Sequence, residues 1–330
     1  MFVTTRSNLA GSKAVLPLKF GLYMPGLWAA VGIVCVVDAI WSAFIGLTIS
    51  NSGNFLIAWG LFLVVTVLLR TNGRDPRLAV ATEFIALWQA FASSANILTY
   101  LSATPALPLQ DDFLADADGF LGFRWLSYYH YVEAHPFIGR SLTTCYQSLI
   151  PETVVSGIFL SFARFDHRIR DFFWIALTSL LLTSALSALV PAVGAFSLYG
   201  FPERADWLRD LDVLRRGVGL HFAFPAMVGL VTFPSFHAVL ALLVIYVMRG
   251  TGFIFYLFAA WNLIMLVSIP PIGGHYLVDI VGGAAVLGIA IVTRRSILHL
   301  RSPAHATRKD LLPSLSGEFE QGVAIEKIDA

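Results

Sequence analysis

Apolar residues are gathered along most of the chain into stretches of roughly twenty residues, the length that spans the hydrocarbon core of a bilayer as a helix. The pattern predicts an all-α, polytopic membrane bundle of about eight transmembrane helices. The last three stretches are short and closely spaced, so a count of six or seven is the alternative. The predicted spans are 25–48, 53–70, 78–103, 139–163, 171–194, 232–249, 252–270 and 274–293.

The composition agrees with a membrane protein and narrows the possible chemistry. Hydrophobic residues make up 57% of the 330 residues and charged residues only 13%, an apolar excess that a soluble chain of this length cannot bury. Cys35 and Cys145 lie within apolar stretches, so they indicate neither a disulfide framework nor a metal cluster. No basic patch interleaved with aromatic residues is present, so we expect no nucleic-acid partner.

The positions of the basic residues predict the direction of each span. With the N-terminus in the cytoplasm, every short loop rich in arginine or lysine falls on the cytoplasmic side, as the positive-inside rule requires. Two long segments, 104–138 and 195–231, fall on the outer side. The spans that begin near 232 and 274 then run in the same direction, because a single returning helix separates them. Their first residues are therefore predicted to lie together at the outer leaflet.

The same reasoning divides the chain into four parts. We expect a cytoplasmic N-terminal segment at 1–24, N-terminal transmembrane helices at 25–103, a catalytic core with its outer loops at 104–295, and a disordered cytoplasmic tail at 296–330. Within the first outer segment, helical spacing predicts a short interfacial helix with most of its acidic residues opposite its apolar side. The apolar residues are Phe113, Leu114, Ala117, Phe120 and Leu121, and the acidic ones are Asp111, Asp112, Asp116 and Asp118.

One candidate motif, Gly273-Gly274-His275-Tyr276-Leu277-Val278-Asp279, opens the last span. Spacing of four residues puts His275 and Asp279 on one helix face, where the carboxylate can accept the Nδ1 proton and leave Nε2 free as a nucleophile. Helix-start amides and a glycine such as Gly274 also suit the close approach of a phosphate. The alternative is an ion pair with only a structural role inside the bundle.

A second candidate motif, Pro234-Ser235-Phe236-His237, opens an earlier span. Ser235 can cap the helix or bind a phosphate oxygen, and His237 can protonate a leaving alkoxide and then activate water. A single histidine at a membrane interface more often has a structural role. The predicted proximity of the two motifs favours a joint catalytic site.

These motifs resemble two signature motifs of the type 2 phosphatidic acid phosphatase superfamily, whose members are helical enzymes that act on phosphate esters. The matching patterns are Pro234-Ser235-x-His237 and Ser268-x6-His275-x3-Asp279. The resemblance implies His275 as nucleophile, His237 as acid and base, and a six-helix phosphatase core with extra N-terminal spans. Ile269 stands where the family usually has an arginine, and the first family motif has no match, so two phosphate-binding cations are missing.

Further stretches resemble the branch of this superfamily that contains fungal inositol phosphorylceramide synthase and its bacterial relatives. The resemblance implies a phosphotransferase as an alternative to a phosphatase, and a bacterial inner membrane as the location. The stretches are Asp111-x2-Leu114-Ala115-x2-Asp118-x2-Leu121-Gly122-Phe123, Leu214-Arg215-Arg216-Gly217, Gly229 to His237, and Gly273-Gly274-His275-Tyr276.

Arg215 and Arg216 are the candidate replacements for the missing cations. Both lie in the outer segment that precedes His237, and a guanidinium can bind phosphate through two parallel hydrogen bonds. The alternative is a solvated loop in which these arginines pair with neighbouring acids. Those acids are Glu203, Asp206, Asp210 and Asp212.

Polar residues within the predicted spans leave a further question open. Ionisable groups are costly in a membrane, which draws attention to Asp38, Glu83, Gln89, Gln147 and Glu152. Three residues, Tyr146, Gln147 and Glu152, are candidates to line a headgroup pocket. The alternatives for them are tertiary hydrogen bonds or a span boundary that lies elsewhere.

Together the residues predict an integral membrane lipid phosphatase or phosphotransferase that works at the outer leaflet through a phosphohistidine, with no cofactor and no metal. A membrane lipid phosphate is the expected substrate, and water or an alcohol is the acceptor. The hypothesis from another class is a transporter or channel. Against it, no internal repeat is visible, and both motifs fall at one interface rather than at the midplane.

Overall fold

The computed structural model describes residues 23–73 and 75–300, and in these residues the chain is mainly helical. Two three-residue strands, β1 (Thr48–Ser50) and β2 (His221–Ala223), pair in parallel. The helices are α1 (Pro25–Ile45), α2 (Gly53–Thr71), α3 (Pro76–Ala103), α4 (Asp111–Phe120), α5 (Trp125–Ala134), α6 (Pro136–Gln147), α7 (Leu149–Phe162), α8 (Asp166–Leu189), α9 (Ala195–Leu198), α10 (Leu208–Arg216), α11 (Phe236–Met248), α12 (Phe253–Gly273) and α13 (Leu277–Leu300).

The prediction of an all-α membrane bundle is confirmed. Six of the described helices, α1, α2, α3, α8, α12 and α13, are long and apolar enough to cross a membrane, and α7 and α11 are shorter apolar helices. These eight helices correspond to the eight predicted apolar stretches. The chain is therefore a multi-pass membrane protein.

The predicted span 139–163 is divided into two helices, α6 and α7, which meet at Ser148. Pro151 lies in the first turn of α7 and has no N–H to donate to the carbonyl of Gln147, four residues earlier. One helix therefore ends at Gln147, and another begins two residues later with proline in its tolerated first turn. The division lets α6 pack against α12 while α7 packs against α3.

Helices α3 and α8 form the centre of the bundle through aromatic side chains. The ring centroids of Phe84 and Phe173 lie 5.1 Å apart, and those of Trp88 and Phe172 lie 5.6 Å apart. Tilted pairs at these distances have favourable ring electrostatics in addition to their buried area. Helix α2, by contrast, packs mainly on α3 and presents most of its surface to the surroundings.

Contacts at the two ends of the bundle agree with the alternating direction of the predicted spans. At one end, β1 from the α1–α2 connection pairs with β2, and the Tyr100 hydroxyl donates to Asp210 over 2.6 Å. At the other end, Arg294 Nε lies 2.9 Å from Asp171 Oδ1, and Arg168 donates to the carbonyl of Val247 over 3.2 Å. Segments predicted to share a side of the membrane thus share an end of the bundle.

Three polar residues within the spans make tertiary hydrogen bonds. Glu83 accepts hydrogen bonds from the amides of Tyr23 and Met24 over 2.9 and 3.0 Å, at the start of α1. Asp38 accepts from Ser94, and Gln89 donates to the carbonyl of Phe55. Each of these side chains therefore joins two neighbouring segments, which accounts for its place within a span.

Helix α4 confirms a helix in the first outer segment, but the prediction for its acidic residues is wrong in part. Asp111 and Asp118 lie on its buried side together with Leu114, while Phe113 and Phe120 are exposed. The burial follows the spacing i, i+3 and i+7, which defines one helix face. The carboxylates are buried because they accept backbone hydrogen bonds, as described below.

The predicted terminal segments lie largely outside the described residues. Only 23 and 24 of the N-terminal segment 1–24 are described. Helix α13 continues to Leu300, so residues 296–300 of the predicted tail are helical, and the remainder of that tail falls outside the described range.

The close crossing of α3 and α7 generates a prediction about Gly157. A Cβ atom at this position would lie 2.1 Å from the ring of Phe84. Because Phe84 is held among other buried rings, we expect Gly157→Ala to lower the free energy of unfolding by about 1–3 kcal/mol, measured by denaturation of detergent-solubilised protein. Gly60→Ala is the control, since nothing lies within 4 Å of its added Cβ. Equal stability of the two variants would contradict this packing.

Candidate active site

His275 and Asp279 form a buried pair at the start of α13. His275 is 5% exposed and Asp279 is 0% exposed. Asp279 Oδ2 lies 3.0 Å from His275 Nδ1 and also accepts the amide of Tyr276 over 2.8 Å. With the carboxylate ionised, Nδ1 is the protonated nitrogen, and the lone pair is on Nε2. The pair therefore presents Nε2 as a nucleophile or base.

His237 lies in the first turn of α11, next to the start of α13. Ser235 caps α11, with its hydroxyl oxygen 3.4 Å from the amide of Ala238. The Ser235 amide donates to the backbone carbonyl of Asp279 over 3.0 Å. This hydrogen bond joins the two predicted motifs directly, one to the other.

Two glycines that sequence reasoning missed permit this close approach of α11 and α13. A Cβ at Gly283 would lie 2.6 Å from the carbonyl oxygen of Ser235, and one at Gly282 would lie 2.8 Å from the ring of Phe233. Both glycines follow Asp279 within one turn of α13. The adjacent Gly-Gly pair was the signal in the sequence that could have indicated a helix crossing here.

Tyr146, at the end of α6, lies beside the histidine cluster. Its ring stacks on the ring of His237, with centroids 4.4 Å apart and an angle of 5° between the planes. A Cβ at Gly273 would lie 2.7 Å from the Tyr146 hydroxyl and 3.0 Å from His275 Cδ2. The Tyr146 hydroxyl and the His275 ring thus approach the same point. The structure brings His237, His275 and Asp279 together, with Tyr146 as an additional member.

Helix α4 supports the start of α13 through two carboxylates. Asp118 accepts the amides of Leu277 and Val278 over 2.9 and 2.8 Å. Asp111 accepts the hydroxyl of Tyr276 over 2.9 Å and the amide of Gly194 over the same distance. Burial raises the pKa of the Asp118 carboxyl, and its two amide donors lower it. Through Asp111 and Asp118, α4 therefore fixes the residues that directly follow His275.

The expectation that both helix starts offer free amides to a phosphate is wrong for α13. There the amides of Tyr276, Leu277 and Val278 are taken by Asp279 and Asp118. At α11, the amides of Phe236 and His237 have no hydrogen-bond acceptor within residues 23–73 and 75–300. The first amides of a helix have no partner in their own helix, so α11 supplies the donors that remain.

Gly274 has a clear conformational role. Its φ of 66° lies in the left-handed region, which glycine adopts without steric cost. A Cβ there would lie 2.4 Å from the ring of Phe196, and the Gly274 carbonyl accepts the amide of Ala195 over 2.7 Å. These contacts shape the turn that carries His275. Contact between Gly274 and substrate stays a prediction.

The two predicted arginines occupy different environments. Arg215 is partly buried, with Nη2 donating to the carbonyl of Leu107 over 2.9 Å and Nη1 lacking a partner among the described residues. Arg216 is exposed, and its Nε lies 2.8 Å from Asp212. The arrangement of Arg216 matches the alternative in which a neighbouring acid pairs with it. In the part of the chain that is described, neither arginine hydrogen-bonds to His237 or His275.

The comparisons with known proteins identify the family. The sequence model of the PAP2 superfamily matches residues 112–293, more than half of the chain and inclusive of the whole histidine cluster. The chain therefore belongs to the PAP2 superfamily. It is a multi-pass membrane protein and a phosphatase-type enzyme. No curated protein and no solved structure matches the chain.

The support from α4 generates a prediction about Asp118. Asp118→Ala leaves the buried amides of Leu277 and Val278 without acceptors, so we expect a loss of about 1–3 kcal/mol in the free energy of unfolding. The start of α13 would also be less well ordered, so we expect lower turnover even when the rate is corrected for the fraction of protein that remains folded. Asp112→Ala is the matched control, because Asp112 is an exposed neighbour on α4. Equal effects of the two changes on denaturation and turnover would refute this role.

Proposed function

We propose that the protein cleaves a lipid phosphate ester through a phosphohistidine intermediate on His275. The observation that carries the proposal is the buried His275–Asp279 pair, with Nδ1 and Oδ2 3.0 Å apart, beside His237 and its stacked tyrosine. A carboxylate that fixes the tautomer of one imidazole, next to a second imidazole, provides a nucleophile and an acid–base group.

In the proposed first step, the Nε2 lone pair of His275 attacks phosphorus in line with the ester oxygen. A P–N bond forms, the P–O bond breaks, and the leaving alkoxide takes a proton from protonated His237. In the second step, neutral His237 removes a proton from water, whose oxygen attacks phosphorus. The P–N bond breaks, so Nε2 of His275 regains its lone pair, inorganic phosphate is released, and His237 is again protonated. Asp279 stabilises the charge that develops on the His275 ring.

Charge on the phosphate oxygens is stabilised in this proposal by donors around α11. Ser235 and the amides of Phe236 and His237 lie at the positive end of the α11 dipole. Arg215 is the candidate cation, since Nη1 is buried without a partner. Its approach to the substrate requires a movement of the side chain toward the histidines, and Arg216 is a candidate for the same contact.

A lipid substrate and an outer-leaflet site are proposed from location. The histidine cluster lies at the starts of α11 and α13, where a headgroup at the membrane surface can enter while its chains remain among the apolar helices. Arginine contacts such as Arg294–Asp171 lie at the opposite end. Because short cytoplasmic loops are enriched in arginine and lysine, whereas long segments such as 195–231 are translocated largely regardless of charge, this distribution supports an outer site in a cell membrane, as in the bacterial inner membrane.

An alcohol acceptor is the second candidate reaction. The resemblance to the inositol phosphorylceramide synthase branch includes the stretch from Asp111 to Phe123, and Asp111 and Asp118 of this stretch contact the turn that carries His275. Either acceptor uses the same two histidines. Product analysis with labelled lipid phosphate, with and without an added alcohol such as inositol, distinguishes phosphate release from transfer.

The experiment that tests the function is acid-labile phosphate trapping with a labelled lipid phosphate. We expect the purified wild type to be labelled, and His275→Ala to lose the label and at least about a thousandfold in turnover. His237→Ala should form label slowly and retain it, because activation of water is impaired. Label that survives His275→Ala would reassign the nucleophile.

The contribution of Arg215 is tested by two substitutions. Arg215→Ala should reduce kcat/KM on the order of 10- to 100-fold, and Arg215→Lys should recover only part of the loss, because lysine lacks the two-pronged donor. Arg209→Ala is the control, since Arg209 is an exposed arginine of the same helix, α10. Near-normal turnover of Arg215→Ala would remove Arg215 from the site.

A further inference from the structure

We infer that Tyr146 is a phosphate-binding residue of this site. Its hydroxyl donates a hydrogen bond to a non-bridging phosphate oxygen, and its ring positions His237. The inference rests on the proposed function, because it assigns Tyr146 a contact with the same phosphate that His275 attacks.

The first observation is the parallel stacking of Tyr146 on His237. The rings are 4.4 Å apart with only 5° between their planes. One face of the imidazole is covered, so rotation of the ring is restricted and water is excluded from that face. The ring nitrogens lie in the imidazole plane, so stacking leaves them free for proton transfer.

The second observation is the direction of the hydroxyl. The tyrosine oxygen approaches Gly273 beside the His275 ring, at 2.7 Å from the position a Cβ of residue 273 would take. A side chain larger than hydrogen at this position would displace the hydroxyl, the His275 ring or both. The glycine therefore permits the Tyr146 hydroxyl and the His275 ring to approach the same short stretch of backbone.

The third observation is that the Tyr146 hydroxyl has no hydrogen-bond partner in the described part of the chain. Its oxygen is not among the fully buried polar atoms that lack a partner, so it is accessible. The fully buried hydroxyls of Tyr100 and Tyr276, by contrast, donate to Asp210 and Asp111 over 2.6 and 2.9 Å. The Tyr146 hydroxyl is therefore available to bind an oxygen of the substrate phosphate.

The fourth observation concerns the two candidate cations. Within the described residues, Arg216 is paired with Asp212 and Arg215 donates to the carbonyl of Leu107, so neither is hydrogen-bonded to a histidine of the cluster. Until Arg215 moves toward the substrate, neutral donors supply the stabilisation of the phosphate. A phenol O–H that donates to an anionic oxygen forms a short, charge-assisted hydrogen bond, which makes the Tyr146 hydroxyl an effective substitute for part of the missing charge.

The test compares Tyr146→Phe with Tyr146→Leu in full-length, detergent-purified protein. Phenylalanine keeps the stacked ring and removes only the hydroxyl, so we expect kcat/KM for a short-chain lipid phosphate to fall on the order of 10- to 100-fold, with an unchanged pH profile. Orthovanadate, a phosphate analogue, should bind more weakly by a similar factor. Tyr146→Leu also removes the ring, so it should cause a larger loss and shift the pH profile through His237.

Tyr128→Phe is the matched control. Tyr128 also contacts α12, but its hydroxyl donates to the backbone carbonyl of Val267 over 3.0 Å. We expect this variant to remain within about twofold of wild type in turnover and vanadate affinity, because it leaves the histidine cluster intact. Thermal unfolding of all three variants separates loss of the site from loss of the fold.

The outcomes distinguish this inference from the proposed function. Wild-type turnover and vanadate affinity in Tyr146→Phe would overturn the phosphate contact while leaving the phosphatase reaction in place. Absence of turnover in wild type, together with vanadate binding that Tyr146→Phe weakens, would refute the proposed reaction and support the anion-binding role. Failure of wild type to bind vanadate would overturn the role of Tyr146 as well.

Discussion

The site depends on one residue, Asp279, which joins both histidine motifs. Its side chain accepts from His275 and from the Tyr276 amide, while its backbone carbonyl accepts the amide of Ser235. The first contact orients one imidazole, and the last fixes the start of the helix that carries the other imidazole. Because the helix starts cross closely enough to exclude a side chain at Gly283, orientation of His275 and placement of His237 are parts of the same packing arrangement.

A consequence of this arrangement is that the surroundings of His275 are rich in carboxylates. Asp111, Asp118 and Asp279 all accept hydrogen bonds within or beside the His275 turn. Carboxylates near a helix N-terminus are stabilised by its amides and dipole, but they also oppose the approach of a second anion. In the proposed reaction, the phosphate must therefore be bound mainly from the side of α11, where Ser235 and the free amides lie. In that reaction, the difference between the two helix starts would define where the substrate sits.

Much of this arrangement could be predicted from the sequence. Hydropathy locates the spans, and because a single returning helix separates the two spans that begin near His237 and His275, both histidines must lie at one end of the bundle. The spacing of four residues likewise predicted the His275–Asp279 contact. Tyr146 could only be named as an open alternative, because its stacking depends on where α6 ends, and that end is set by Pro151 in the next helix. The burial of Asp111 and Asp118 was missed since their acceptor role becomes visible only when α4 packs against the start of α13.

If the proposed reaction takes place, the position of Tyr146 also affects which molecule can accept the phosphoryl group. In the proposed mechanism His237 protonates the leaving oxygen and later deprotonates the acceptor, so both oxygens must reach the same ring nitrogen. Tyr146 covers one face of that ring. Proton transfer takes place in the ring plane, so the acceptor must approach the edge of the imidazole that carries the reacting nitrogen. Water needs only a small opening there, whereas an alcohol needs space for its carbon skeleton. On this proposal, the residues beside that edge would set the choice between hydrolysis and transfer, while the histidines and Asp279 would serve either reaction.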